Sequence, residues 1–155
     1  MRRISLLLVV MSLIGCAGTY APPVTREHLT ATTVGATKTD IFRTAQQVLV
    51  TEGYQITNAD EMAGTISTAP RNLRVTPLEV DCGTTMGLDY LKDVRTSTRV
   101  AVGLVIGEGT LTAKANIEGE YKPGSAIQNI TLTCVSRGVI EQALVEKINA
   151  AIGMR

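Results

Sequence analysis

From Thr98 to Ile117 apolar and polar side chains alternate almost without interruption, and this pattern constrains the fold more than any other feature. Val100, Val102, Leu104 and Ile106 share one face, Gly107-Glu108-Gly109 turns the chain, and Leu111, Ala113, Ala115 and Ile117 return on the inward phase against Thr112, Lys114, Asn116 and Glu118. A side-chain period of two belongs to a strand. The stretch therefore predicts a long antiparallel hairpin with one apolar and one polar face, which needs a partner layer over its apolar side.

The rest of the chain supplies that layer. Leu29 to Val34 is β-prone. Thr37, with Asp40 three residues on and Thr39 as a rival cap, opens a helix in which Ile41, Ala45, Val48 and Leu49 share a face, and Gly53 closes it. Tyr54 to Thr57 and Gly64 to Thr68 alternate around the turn residues Asn58 to Glu61, which predicts a hairpin. Leu78, Val80 and Cys82 alternate with Glu79 and Asp81, and Ile130, Leu132 and Cys134 alternate with Thr131 and Thr133. A last helix, capped by Ser136, carries the stripe Ile140, Ala143, Leu144, Ile148, Ala151 and Ile152 and ends at Gly153. The order is β-α-β-β-β-β-β-β-α. It predicts an α+β domain over residues 29–155: a single curved antiparallel sheet of about five to seven strands with both amphipathic helices on one face. A chain of 155 residues suits one such domain.

The first residues speak of targeting. Arg2 and Arg3 precede an apolar run from Ile4 to Ile14, too short to span a bilayer comfortably but suited to a secretory h-region. Leu13-Ile14-Gly15-Cys16 follows and resembles the lipobox of bacterial lipoproteins. The resemblance implies a signal peptide over 1–15 and lipidation of Cys16 as the new N-terminus. Two or three acyl chains would make the membrane anchoring stable. Ala17, where an Asp would favour retention, implies the periplasmic face of the outer membrane by enterobacterial sorting rules. Residues 16–28, with Pro22-Pro23, form a short extended linker. With Cys16 taken by lipid, Cys82 and Cys134 remain as an even pair in an oxidising compartment. With no Cys-x-x-Cys and no nearby His, they are expected as a structural disulfide on the apolar phase of two strands.

Composition and motifs exclude more chemistry than they offer. One Phe, four Tyr and no Trp leave few stacking platforms for single-stranded nucleic acid. Losing Arg2 and Arg3 takes the formal charge from +1 to about −1, which argues against a polyanion partner. His28 is the one histidine and falls in the linker, so no Ser-His-Asp, Cys-His or zinc set is legible, and no cofactor is implied. Glu79 with Asp81, and Glu118 with Glu120, lie two apart on polar strand faces, a spacing open to acid catalysis or calcium but equally that of a solvated sheet. Gly103, Gly107 and Gly109 do not build a phosphate loop. Two loops are candidates for contact with a partner. Pro70 to Arg74 is basic, through Arg71 and Arg74. Met86 to Leu91 carries Met86, Leu88, Tyr90 and Leu91, either as an interaction surface or as a short helical turn plugging the open end of the core.

The run from Thr39 through Gly53-Tyr54-Gln55-Ile56, followed by Asp60 and Gly64-Thr65-Ile66, is similar to the helix-grip-like domain of the BamC lipoproteins of the outer-membrane β-barrel assembly machinery. This chain has one such domain rather than two, almost no extended N-terminal arm, and an added cysteine pair. The resemblance supplies no catalytic or binding residues. It implies a non-enzymatic, membrane-anchored interaction module in cell-envelope assembly or maintenance, with envelope proteins as partners. The alternative is a lipid or small-ligand carrier, whose apolar cavity between sheet and helix would use the space left by Ala113, Ala115 and Gly119.

Overall fold

The structure is a computed structural model that describes residues 20–23, 29–32, 36–124 and 128–154. Cys16, His28 and most of the linker lie outside the described residues. The elements are β1 (Tyr20–Ala21), β2 (Leu29–Thr32), α1 (Lys38–Thr51), β3 (Ile56–Asp60), β4 (Thr65–Thr68), β5 (Arg71–Asn72), β6 (Val80–Asp81), β7 (Thr84–Thr85), β8 (Leu88–Asp89), a 3-10 turn (Tyr90–Lys92), β9 (Thr96–Gly107), β10 (Thr110–Tyr121), β11 (Ile130–Ser136) and α2 (Val139–Gly153). Among the described residues the fold is α+β, with two α-helices and an antiparallel sheet.

The alternating stretch is the β9–β10 hairpin, paired from Gly107↔Thr110 to Thr96↔Tyr121. The sheet runs β3-β4-β9-β10-β11-β6, with β5 also on β9 and β2 also on β10, and the short β1, β7 and β8 form a second sheet. Val100, Val102, Leu104, Ile106, Leu111, Ala113, Ala115 and Ile117 are buried as their phase requires, under Ile41, Phe42, Ala45 and Leu49 of α1 and Leu144, Val145 and Ile148 of α2.

Each outer edge of the hairpin is shared by two strands, and each has a gap between them. On β9, β4 covers Gly103–Val105 and β5 covers Arg99–Val100. In the gap the Thr68 hydroxyl accepts from the Val102 N–H (2.8 Å) and donates to the Val102 carbonyl (3.2 Å). On β10, β2 covers Thr110–Ala113 and β11 covers Ile117–Tyr121. There the Ala115 N–H donates to Glu141 Oε1 of α2 (3.0 Å). Side chains thus satisfy backbone donors that would otherwise be buried without partners, which matters because such orphans are costly.

Several local boundaries differ from the sequence expectation. Asn58 to Asp60 belong to β3 and the turn follows at 61–64, tied by the Ala63 N–H donating to Asp60 Oδ1 (2.9 Å). Leu78 is exposed rather than inward, because Glu79 accepts from the Thr76 N–H (2.8 Å) and Val80 N bonds to the Thr76 carbonyl (3.0 Å), winding 76–80 into a turn before β6. Ile130 is part-exposed at the start of β11. Thr37 caps α1 as expected, rather than its rival Thr39, accepting from the Asp40 N–H (3.2 Å). Gly138 is the N-cap of α2 in place of Ser136. Ser136 instead accepts from the Gly138 N–H (3.1 Å) and donates to Glu141 Oε2 (2.5 Å). With α2 starting at Val139, its inward face takes Glu141, Leu144, Val145 and Ile148, and Ala143 points to solvent.

Candidate functional site

Cys82 and Cys134 are bonded, with Cα atoms 4.1 Å apart, one rung beyond the β6–β11 pairs Val80↔Ser136 and Asp81↔Val135. Both are buried. The space beside Gly119 belongs to this bond: a Cβ there would lie 2.9 Å from Cys134 Sγ and 3.2 Å from Leu132 Cβ. Ala115 faces the Glu141 carboxylate. Gly119 thus makes room for the disulfide, and the Ala115 contact with the buried acid runs through its backbone N–H.

The acidic pairs are spoken for locally. Asp81 pairs with Arg137 (3.1 Å), Glu118 with Arg99 (3.0 Å) and Glu120 with Lys122 (3.4 Å), while Glu79 holds the turn at Thr76. Among the described residues no group of His, Cys, Asp and Glu side chains is arranged to hold a metal ion, and no helix is long and apolar enough to cross a membrane.

The two candidate loops meet at the end of the sheet where β9 begins and β10 finishes, but their residues divide between two jobs. Arg71 turns inward. Its guanidinium lies 4.0 Å from the centre of the Tyr54 ring and donates to the Glu52 carbonyl (2.6 Å), closing the end of α1. Tyr90 is buried and meets Tyr121 edge to face at 5.2 Å, and its carbonyl accepts from the Thr96 hydroxyl (2.6 Å). Leu91 is half-buried against the core. These three complete the interior. Arg74, Met86 and Leu88 are exposed.

The segment before Tyr90 is a two-residue hairpin rather than a helical turn. Thr84 pairs with Asp89 and Thr85 with Leu88, leaving Met86-Gly87 as the loop. Both loop residues have positive φ, +50° at Met86 and +77° at Gly87, as a turn matched to the strand twist requires. Asn or Gly is the usual occupant of the first position, so an apolar residue there is out of keeping with the backbone. Met86 is 77% exposed and Leu88 72% exposed.

Sequence reasoning missed Val94, because an isolated Val between Asp93 and Arg95 has no periodic partner. It is 85% exposed and sits between two shallow depressions that share it and Asp93. One, about 320 Å³, is lined by Leu73, Arg74, Val75 and Leu91; the other, about 470 Å³, by Leu88, Tyr90, Lys92, Arg95 and Tyr121. Arg95 is neutralised in place. It grips Asp93 through Nη2 (2.6 Å) and Nε (3.0 Å), and those hydrogen bonds, with one from the Arg95 backbone N–H, hold the Asp93 carboxyl well below the usual carboxylate range. Arg74 and Lys92 have no carboxylate partner among the described residues and leave this end with exposed positive charge.

The beginning of the described chain is fastened to the same place. β1 pairs with β7 in the register Tyr20↔Thr85 and Ala21↔Thr84. Since β7 runs toward the Met86-Gly87 loop and β1 is antiparallel to it, Tyr20 lies at the loop end of the pair.

The described residues define the class: an α+β domain with two helices on one face of an antiparallel sheet, a buried disulfide, and an exposed apolar and basic end beside Tyr20. No family and no curated protein matches the sequence. Among solved structures the chain is similar to a TBP-like protein from Parabacteroides distasonis, at 13% identity and a TM-score of 0.44, over 69% of this chain and 64% of that one. The chain thus spans somewhat less than two thirds of that protein's length.

Proposed function

We propose that this chain is a lipoprotein anchored through Cys16 at the periplasmic face of the outer membrane, and that its domain is a non-enzymatic interaction module in cell-envelope assembly or maintenance. The observation that carries the reading is Leu13-Ile14-Gly15-Cys16 after a charged and apolar leader. The buried Cys82–Cys134 bond supports export, because disulfides persist in oxidising compartments. The resemblance to the BamC domain belongs to the same proposal, and the segment that carries it forms the end of α1 and the β3–β4 hairpin. A lipid anchor with a short connection restricts the domain to a plane and raises its effective concentration toward partners in that membrane.

Metabolic labelling with a palmitate analogue, followed by crosslinking and purification from membranes, tests this reading. The label is expected in the wild-type chain and absent from Cys16→Ser, with outer-membrane or barrel-assembly proteins among the crosslinked species. An unlabelled wild-type chain would refute the anchor. A labelled chain free of protein partners but retaining a lipid or small molecule would favour a carrier.

A further inference from the structure

A lipid on Cys16 would hold the domain near a bilayer without orienting it, and one end of the domain carries features suited to fixing that orientation. Cys16 lies four residues before Tyr20, so its distance from the β1–β7 pair is at most about 14 Å of extended chain. Tyr20 pairs with Thr85 at the Met86-Gly87 loop end of β7. Three exposed apolar side chains, Met86, Leu88 and Val94, gather there, and Met86 keeps an apolar side chain at a backbone position better suited to Asn or Gly. Arg74 and Lys92 flank them without carboxylate partners among the described residues. Apolar residues projecting beside unpaired cations complement the boundary between acyl chains and anionic headgroups.

We propose that this end docks on the bilayer: Met86, Leu88 and Val94 enter the headgroup region of the membrane that holds the Cys16 lipid, and Arg74 and Lys92 meet anionic phospholipid headgroups. The inference rests on the lipid-anchor reading above. It places the β9–β10 hairpin pointing away from the membrane, with its Gly107–Thr110 turn and the neighbouring β3–β4 turn on the distal side.

The chain has no Trp, so a single introduced indole reports its own surroundings. Full-length lipoprotein carrying Leu88→Trp, Val94→Trp or, as control, Met62→Trp is purified from membranes. Each is reconstituted into phosphatidylethanolamine–phosphatidylglycerol vesicles with or without brominated acyl chains. Met62 is 93% exposed on the β3–β4 turn, level with Ile106 at the opposite end of the sheet and about 40 Å of strand from Val94. Mass spectrometry of the N-terminal peptide reports acylation, and non-reducing electrophoresis reports the disulfide as a check on folding.

Bromolipid is expected to reduce emission at least two-fold in Leu88→Trp and Val94→Trp and to leave Met62→Trp unchanged. Adding Arg74→Glu and Lys92→Glu to Leu88→Trp is expected to remove at least half of that quenching. Acylated, folded protein showing no quenching at either site overturns the docking while leaving the anchor standing, whereas absent acylation overturns both. Equal quenching in Met62→Trp overturns the orientation. Quenching indifferent to charge reversal and to removal of phosphatidylglycerol overturns the role of Arg74 and Lys92. Protection of both sites in native membranes by a crosslinked protein, without bromolipid quenching, assigns the surface to a protein partner instead.

Discussion

At the scale of single residues, the core depends on a carboxylate that hydropathy patterning passes over. Glu141 breaks the apolar stripe of α2, yet it is buried and accepts from the Ala115 N–H (3.0 Å) and the Ser136 hydroxyl (2.5 Å). Its position in the first helical turn also sets its negative charge near the positive end of the helix dipole. Glu141→Ala leaves the strand donor and the hydroxyl unsatisfied and is expected to lower stability by about 2–3 kcal/mol. Glu141→Gln keeps an acceptor oxygen and is expected to cost about 1 kcal/mol. Urea denaturation midpoints check the order wild type, Gln, Ala. Hydropathy patterning does not show this role directly, because it arises from β2 and β11 leaving residues 114–116 of β10 unpaired between them. A polar residue interrupting a helical stripe was the only available sign.

At the scale of elements, regular alternation was legible and irregular segments were not. The β9–β10 hairpin, the two helices and the inward phase of Val80, Cys82, Leu132 and Cys134 follow from period and punctuation. The segment 86–91 was ambiguous because Met86, Leu88 and Tyr90 alternate as in a strand while Leu91 breaks the period, over too short a run to decide. It resolves into a hairpin tip that exposes Met86 and Leu88 and a turn that buries Tyr90. The hairpin itself affords a test. Met86→Asn removes a side chain disfavoured at φ +50° and completes the Asn-Gly pair preferred in such loops, so it is expected to raise stability by about 0.5–1 kcal/mol. A thermal melt reads the sign. The same substitution is expected to weaken contact with vesicles, which would make Met86 a residue kept at some cost to the fold.

At the scale of the whole molecule, the disulfide joins parts of the chain that local propensity does not bring together. Cys82 and Cys134 are separated by 52 residues, and between them lies the entire β9–β10 hairpin. Loop-closure entropy assigns such a crosslink about 4 kcal/mol through the unfolded chain. The double substitution Cys82→Ala, Cys134→Ala is expected to lose most of that, plus a smaller loss of packing around Gly119. Equilibrium unfolding with and without reductant separates the two: reductant should destabilise the wild type toward the double variant and leave the double variant unchanged. The pairing was legible from strand phase and from the two cysteines left once Cys16 is assigned to the proposed lipid, whereas the pairing of Tyr20 and Ala21 with β7 was not, since two-residue strands leave no periodic trace.

That last pairing gives the molecule two lengths of leash. With Tyr20 and Ala21 seated on Thr85 and Thr84, the span from Cys16 to the folded domain is at most about 14 Å. Should those two rungs release, the next strand pair among the described residues starts at Leu29 on Ala113, and the span to it is about 45 Å at full extension. On the proposed Cys16 anchor, a pull from the membrane would load the two-rung β1–β7 pair before the four-rung β2–β10 pair. The β1–β7 pair would behave as a mechanical clutch, setting whether the domain works pressed against the bilayer or at several times that distance.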